Sequence, residues 1–251
     1  RVLFRSTWTS QTSGSGGNLL ALTYGNGIYV YSGAGSVCRS STDGITWTLR
    51  SMGGTTQINA LAYGNGNFVA AGASQRIVVG TSDAANWTTV ITGSYDIYTL
   101  SYSNGIFLYG GAIGIMGSSS YGFSWVNKIS NTTQNILGLT YSNGTYGYCG
   151  ANGLLATSTD SNTWTTKSSG TSASINTILY ANNLWVFAMS DGTLKTSTNS
   201  ANIPTGTTGT PSYNTSTQFF VPAITSTGTL GTVTANTIQP ITQAYVKAST
   251  T

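Results

Sequence analysis

The chain has 251 residues, of which 39% are hydrophobic and only 6% charged, with 15 Tyr and 6 Trp. That much apolar and aromatic material can build one sizeable domain, and it excludes the composition of a disordered chain. Nine Lys and Arg stand singly against five Asp and give a net charge of +4, too diffuse a footprint for nucleic acid, and no apolar run approaches the ~18 residues of a membrane-spanning helix.

The chain begins at Arg1 with neither a methionine nor a signal-peptide pattern. It is therefore expected to be processed or to lack its first residues. The first predicted element is a strand around Trp8, in Ser6-Thr7-Trp8-Thr9, which stands 39 residues ahead of Trp47. A repeat then takes over. Tyr24, Tyr63, Tyr102, Tyr141 and Tyr180 recur every 39 residues, each followed by a turn: Asn26-Gly27, Asn65-Gly66, Asn104-Gly105, Asn143-Gly144 and the decayed Asn182-Asn183. Asn-Gly between alternating runs is the strongest short-range hairpin signal, because both central positions of a type I′ turn need positive φ. A second strand carries an aromatic at fixed register (Tyr29, Phe68, Phe107, Tyr146, Trp185), a third follows a further turn, and a fourth opens with Trp47, Trp87, Trp125 or Trp164.

Four short strands per unit of about 40 residues predict an all-β chain: a five-bladed β-propeller of four-stranded antiparallel blades, with no helix. Each blade has a face that only a neighbour can cover, so the ring is expected to close. Ile203 is followed by Pro204, which cannot donate a ladder hydrogen bond. The strand around Trp8 is therefore expected to close the ring, completing blade five beside the strand near Leu194. The competing arrangement is a sixth, partial blade completed by another chain. Residues 1–205 read as the propeller and 206–217, rich in Thr, Gly and Ser, as a linker. Residues 218–251, with Phe219-Phe220-Val221-Pro222, read as a C-terminal extended arm for attachment or oligomerisation, since about 30 residues cannot build a core of their own.

Between strands three and four, blade one reads Ser41-Thr42-Asp43-Gly44-Ile45-Thr46-Trp47 and blade four Ser158-Thr159-Asp160-Ser161-Asn162-Thr163-Trp164, while blade two has Ser82-Asp83 leading to Trp87. This resembles the Asp-box, or BNR, repeat of sialidase-like propellers. The whole pattern looks like propeller repeats of bacteriophage tail and fibre proteins and of bacterial surface proteins, over about residues 6 to 203. A short Asp side chain can accept hydrogen bonds from backbone N–H groups two or three residues on, so the motif reads as a structural fastener. Tyr121 and Asn199 replace the Asp in blades three and five, as a fastener tolerates.

The sialidase activity does not come with the resemblance. It implies an arginine cluster, a Tyr-Glu pair and an acid, whereas this chain has no Glu and no His, and Arg1, Arg5, Arg39, Arg50 and Arg76 recur in no converging register. Without His the common general base and metal ligand is missing, so no catalytic residue, metal or cofactor is expected. Cys38 and Cys149 are expected as two separate buried thiols. Outside the Asp-boxes only Asp96 and Asp191 carry carboxylates. They fall on the opposite face with Gln57, Gln75, Arg76, Tyr95 and Gln134, which together form the candidate ligand-binding set. The expected function is a non-enzymatic virion structural protein, a bacteriophage tail, fibre or capsid-surface component. Its expected partners are other virion proteins or copies of itself through the arm, or a host-surface glycan. The alternative is a secreted or cell-surface lectin-like propeller.

Overall fold

Asn-Gly pairs at positive φ set the beat of the chain: Asn26 and Gly27 lie at 49° and 77°, and the same geometry returns at each later pair, including Asn182 and Asn183 at 52° and 59°. Each turn folds one strand back on the next, so the sequence period becomes a period of sheets. The structure, a computed structural model, describes residues 9–197 and the backbone of 213–214 and 218–219. The strand expected around Trp8, the Ile203-Pro204 end of the repeat, and the expected linker and arm lie outside those residues, apart from a short antiparallel pair, Tyr213–Asn214 with Gln218–Phe219.

Five antiparallel sheets follow one another among the described residues. Unit one holds β1 (Leu19–Gly25), β2 (Ile28–Gly33), β3 (Val37–Ser41) and β4 (Thr48–Ser51), and unit two holds β5 (Ile58–Gly64), β6 (Asn67–Gly72), β7 (Ile77–Gly80) and β8 (Trp87–Ile91). Unit three holds β9 (Ile97–Ser103), β10 (Ile106–Gly111), β11 (Met116–Ser119) and β12 (Val126–Asn127). Unit four holds β13 (Ile136–Ser142), β14 (Thr145–Gly150), β15 (Leu155–Ser158) and β16 (Thr165–Thr166), and unit five β17 (Ile175–Ala181), β18 (Leu184–Met189) and β19 (Leu194–Ser197). The 39-residue tyrosines and the second-strand aromatics meet directly across the hairpins, as Tyr63 opposite Phe68 and Tyr141 opposite Tyr146, with ring centroids 4.6 and 4.4 Å apart.

The core is not one mass but four seams. Val30 and Cys38 of unit one pack on Leu61, Phe68 and Val78 of unit two. Val69 and Val79 of unit two pack on Leu100, Phe107 and Tyr109 of unit three. Leu108 and Met116 then meet Tyr146 and Tyr148, and Cys149 and Leu155 meet Ile178, Trp185 and Phe187. Both cysteines are free and buried, as expected.

Sequence expectation and structure part in two places. The turns between second and third strands are single 3-10 turns, Ala34–Ser36, Ala73–Gln75, Ala112–Gly114 and Ala151–Gly153, where no helical residue was expected. They are held by the preceding connector: Ala73 N donates to Gln57 O at 2.9 Å, close enough that a Cβ on Gly72 would sit 2.0 Å from that oxygen. In unit two the Asp-box has slipped by one residue. Thr81, not the residue equivalent to Ser41, bonds Asp83, and the connector 92–96 is one residue shorter than 52–57, which restores the register by Ile97.

Ring closure is not seen among the described residues. β1, β5, β9, β13 and β17 pack one on the next, but no comparable packing joins β17 to β1. Leu22 of unit one is 66% exposed, although its equivalent Leu61 is 8% exposed, and Leu194 of unit five is 47% exposed although its equivalent Leu155 is fully buried. Leu19 and Tyr29 are exposed too, where Ile58 and Phe68 are buried. Unit five has three described strands, and the segment expected to supply its fourth lies outside the described residues. Among the described residues, then, units one and five are not seen to meet.

Candidate functional site

At one end of the sheets lie the Asn-Gly turns and the Asp-boxes. Asp43 Oδ1 accepts Ile45 N and Thr46 N at 2.8 and 2.7 Å, and the hydroxyl of Ser41 at 2.8 Å. Asp160 repeats this with Asn162 N, Thr163 N and Ser158. These donors favour the ionised carboxyl, first the backbone N–H groups and then the serine, and they hold both groups well below the usual carboxylate range. Asp83, bonded by Thr81 and by Ala85 N, is lowered in the same way. Two of the Asn-Gly asparagines reach the next unit's segment between third and fourth strands: Asn26 Nδ2 donates to Ser82 O at 3.0 Å, and Asn65 Nδ2 to Ser120 O at 2.8 Å. The tryptophans after the boxes lean on second-strand rings, Trp47 on Tyr31 at 4.8 Å and Trp164 on Tyr148 at 4.7 Å. In unit two, where Ala70 stands in place of that tyrosine, Trp87 faces Phe68 at 6.3 Å.

The opposite end carries the residues singled out as ligand candidates. Three of them gather round the Ala73–Gln75 turn. Gln57 supplies the carbonyl that holds Ala73 N, Asp96 Oδ1 accepts Ser74 N at 2.9 Å, and Gln75 Nε2 donates to the Tyr109 hydroxyl at 3.2 Å. Tyr95, beside Asp96, is exposed. One unit on, Asn135 Oδ1 accepts Ile113 N at 3.1 Å in the register of Asp96. An amide thus does the same work there as the carboxylate, so a turn fastener accounts for Asp96. Asp191, in unit five, accepts Thr193 N and the Thr193 hydroxyl, and its carboxyl is lowered by the hydroxyl first and the N–H second. Gln134 lies at the seam of units three and four, apart from the others.

Arg76 departs most from its expected role. It is buried, and its guanidinium donates to Met52 O, Gly53 O and Ser36 Oγ. The reason is a recurring acceptor. Where a connector enters a unit, its carbonyl is held by a side chain of that unit: Ser13 O by Tyr31, Ser130 O by Tyr148 at 2.5 Å. Units two and five have Ala70 and Phe187 in place of the tyrosine. There Arg76, and Lys195 at 3.1 and 2.8 Å from Ser169 O and Gly170 O, take over. A buried cation is tolerated because it meets oxygens, four of them for the terminal nitrogens of Arg76 and two for Lys195.

Two open clefts remain. One, of about 660 Å³, lies between the Ala112–Gly114 turn and the connector 128–134, with Ile113, Lys128, Ile129 and Gln134 on its walls. The Oε1 of Gln134 is enclosed there without a hydrogen-bond partner. The other, of about 590 Å³, lies at the Asp-box end of unit three between Asn67, Tyr121, Phe123 and Val126. Tyr121 and Phe123 are exposed. Sequence reasoning noted Tyr121 only as a lost Asp and passed over Phe123; the signal was an aromatic at 121, where the other repeats have Asp or Asn, with a second at 123, where they have Ile45 and Asn162.

No known family's pattern matches the sequence, and no curated protein matches it closely enough to count as a relative. Solved structures do match in shape. YCF48 bound to a D1 peptide has a TM-score of 0.58 at 15% identity over 73% of this chain. The WD40 β-propeller domain of Doa1 gives 0.58 at 14% over 71%, and YCF48 from Cyanidioschyzon merolae gives 0.61 at 14% over 76%. The fold is that of a β-propeller. At such identities the likeness speaks for fold alone. The chain spans 66% of the first YCF48 structure and 64% of the Doa1 domain, under two thirds of each, and 71% of the second YCF48 structure.

Proposed function

We propose that this propeller is a non-enzymatic structural protein of a multi-copy extracellular particle, a virion component of the tail, fibre or capsid-surface kind. The observation that carries the non-enzymatic part is the fate of its carboxylates. Asp43, Asp83, Asp96, Asp160 and Asp191 are all the carboxylate side chains in the sequence, and each accepts a backbone N–H of a turn. An acid or base for catalysis must be free to meet a substrate proton; these are committed to the frame. The particle setting is supported by the resemblance of the Tyr-Gly-Asn-Gly and Asp-box pattern to phage tail and fibre repeats, of which the Asp-box kinship is part. The strand around Trp8 supplies the fourth strand that unit five needs. Ser13 supports this, since it sits on unit one as Ser130 sits on unit four, and the strand before Ser130 belongs to the preceding unit. Gold-labelled antibody and electron microscopy test the particle reading. Ordered labelling on particles is the expected result, whereas finding the chain only as free protein in the medium overturns it.

The second reading is a lectin-like propeller, favoured by the cleft of Tyr121 and Phe123, with Asn67 and the serines at 118–120 beside them. Aromatic faces stack on the C–H faces of sugars while hydroxyls and amides read their oxygens. A glycan array probed with the chain and with Tyr121→Ala tests it. Binding lost in the variant supports the reading, and an unresponsive array removes it.

A further inference from the structure

The turn between second and third strands holds two successive residues at positive φ in each of the first four units. At the first of the two places stand Gly35, Ser74 and Asn152, at φ 66°, 56° and 53°, and in unit three Ile113 at φ 48°. Among the described residues Ile113 is the one β-branched side chain at positive φ, where crowding at Cβ strains the backbone. No packing offsets that strain: Ile113 joins none of the seams between units and is 48% exposed. It stands instead on the turn side of the cleft of about 660 Å³. On the connector side Ile129 is 75% exposed, although Ser51 and Ser168 hold that place, four residues after the tryptophan, in units one and four. Beside Ile129, Lys128 Nζ donates to Asn162 Oδ1, a neutral acceptor, and no carboxylate and no aromatic ring lines the cleft.

We propose that this cleft binds an extended peptide segment in which an apolar side chain neighbours an acidic one. The apolar side chain lies between Ile113 and Ile129, so the strained residue finds in the ligand the contact that the fold denies it. Charge complementarity specifies the neighbour. Lys128 has no carboxylate to answer it, since the chain has no Glu and its five Asp are bonded in turns. An acidic side chain exchanges the neutral Asn162 acceptor for a charge-assisted bond. The Gln134 amide lies on the same wall with its Oε1 unbonded. A turn about its last side-chain bond offers that oxygen and its NH2 together, the acceptor and donors that a peptide unit complements. A sugar finds no ring here to stack on, and a single lysine is too little charge for a nucleic acid. The volume falls within the ~300–1,000 Å³ of ordinary ligand sites. The site stands apart from both readings above, which use other surfaces.

Fluorescence anisotropy on the full chain with dye-labelled peptides tests it. The probes are a Gly-Ser frame carrying Leu, Ile or Phe beside Asp or Glu, with matched sets that put Lys in place of the acid or Ser in place of the apolar residue. The chain is expected to bind an acidic-apolar probe about tenfold or more tightly than either matched control. Lys128→Gln is expected to weaken that probe about tenfold and to erase its advantage over the basic one. Ile113→Asn installs the residue of unit four. It is expected to melt no lower than the parent, because the strain at Cβ is eased, and yet to bind about tenfold more weakly. Ile129→Ser, at an exposed position, puts the other wall to the same test should Ile113→Asn upset the turn. A parent chain that binds none of the acidic-apolar probes overturns the proposal, and so does binding that Lys128→Gln and Ile129→Ser leave unchanged.

Discussion

Asp43 and Asp160 show what a carboxylate does here: each closes a turn by accepting two backbone N–H groups and a serine hydroxyl. Such a group is ionised in the fold well below the ordinary range, while in the unfolded chain it titrates near about 4. As pH falls through that value the unfolded chain takes up protons first, and the stability these turns contribute drains away toward the lower, folded value. With no histidine in the chain, the melting temperature is expected to stay flat from about pH 5 to 8 and to drop below about pH 4. Asp43→Ala is expected to melt lower at neutral pH and to show a shallower acid drop. Calorimetry across that range decides it, and a steep change near pH 6.5 would contradict the account. Asp96 gives the complementary case. Because Asn135 fastens the next turn in the same register, Asp96→Asn is expected to melt within about a degree of the parent, whereas Asp96→Leu leaves Ser74 N unbonded and melts lower.

At the scale of the element, the connector carbonyls impose a demand and leave the donor free. Tyr31 and Tyr148 meet it with a hydroxyl, and Arg76 and Lys195 with a cation from a different strand position. Lys195→Met leaves Ser169 O and Gly170 O buried without that donor and is expected to cost about 1–3 kcal/mol in urea denaturation. Phe187→Tyr in the same chain places a hydroxyl where Tyr148 has one and is expected to recover part of the loss. A double-mutant cycle with no coupling between the two sites would show that they do not share this duty. This substitution of donors also marks the limit of sequence reading. The strands, their turns and their order were legible because Asn-Gly and the spaced aromatics act locally. Arg76 looked like a loop cation because nothing in spacing says that Ala70 has vacated the hydroxyl's place six residues earlier. The slip of the Asp-box in unit two was hidden in the same way: Thr81 accepts and donates like serine, and a shorter connector cancels the extra residue downstream. Among the candidate site residues, the shared face of Gln57, Gln75 and Asp96 followed from register, whereas their meeting on one turn and the exposure of Tyr121 and Phe123 depend on packing that no single repeat reveals.

Across the whole molecule, stability is held in seams between neighbours, not in a shared centre. Units two, three and four each have two seams, and units one and five have one each among the described residues. With those four seams alone, opening unit one or unit five breaks one interface and opening a middle unit breaks two. Amide exchange at high dilution should therefore grade along the chain, slowest in β9 and β10 of unit three and fastest in β1 and β19. A uniform exchange rate across all five units would mean that the seams break together. The graded outcome bears on where a lost side chain can be borne. Unit two lacks the second-strand hydroxyl at Ala70 and unit five lacks it at Phe187, and in each a cation from another strand position restores the bond to the connector, so a neighbour on both sides is not a condition for such a replacement.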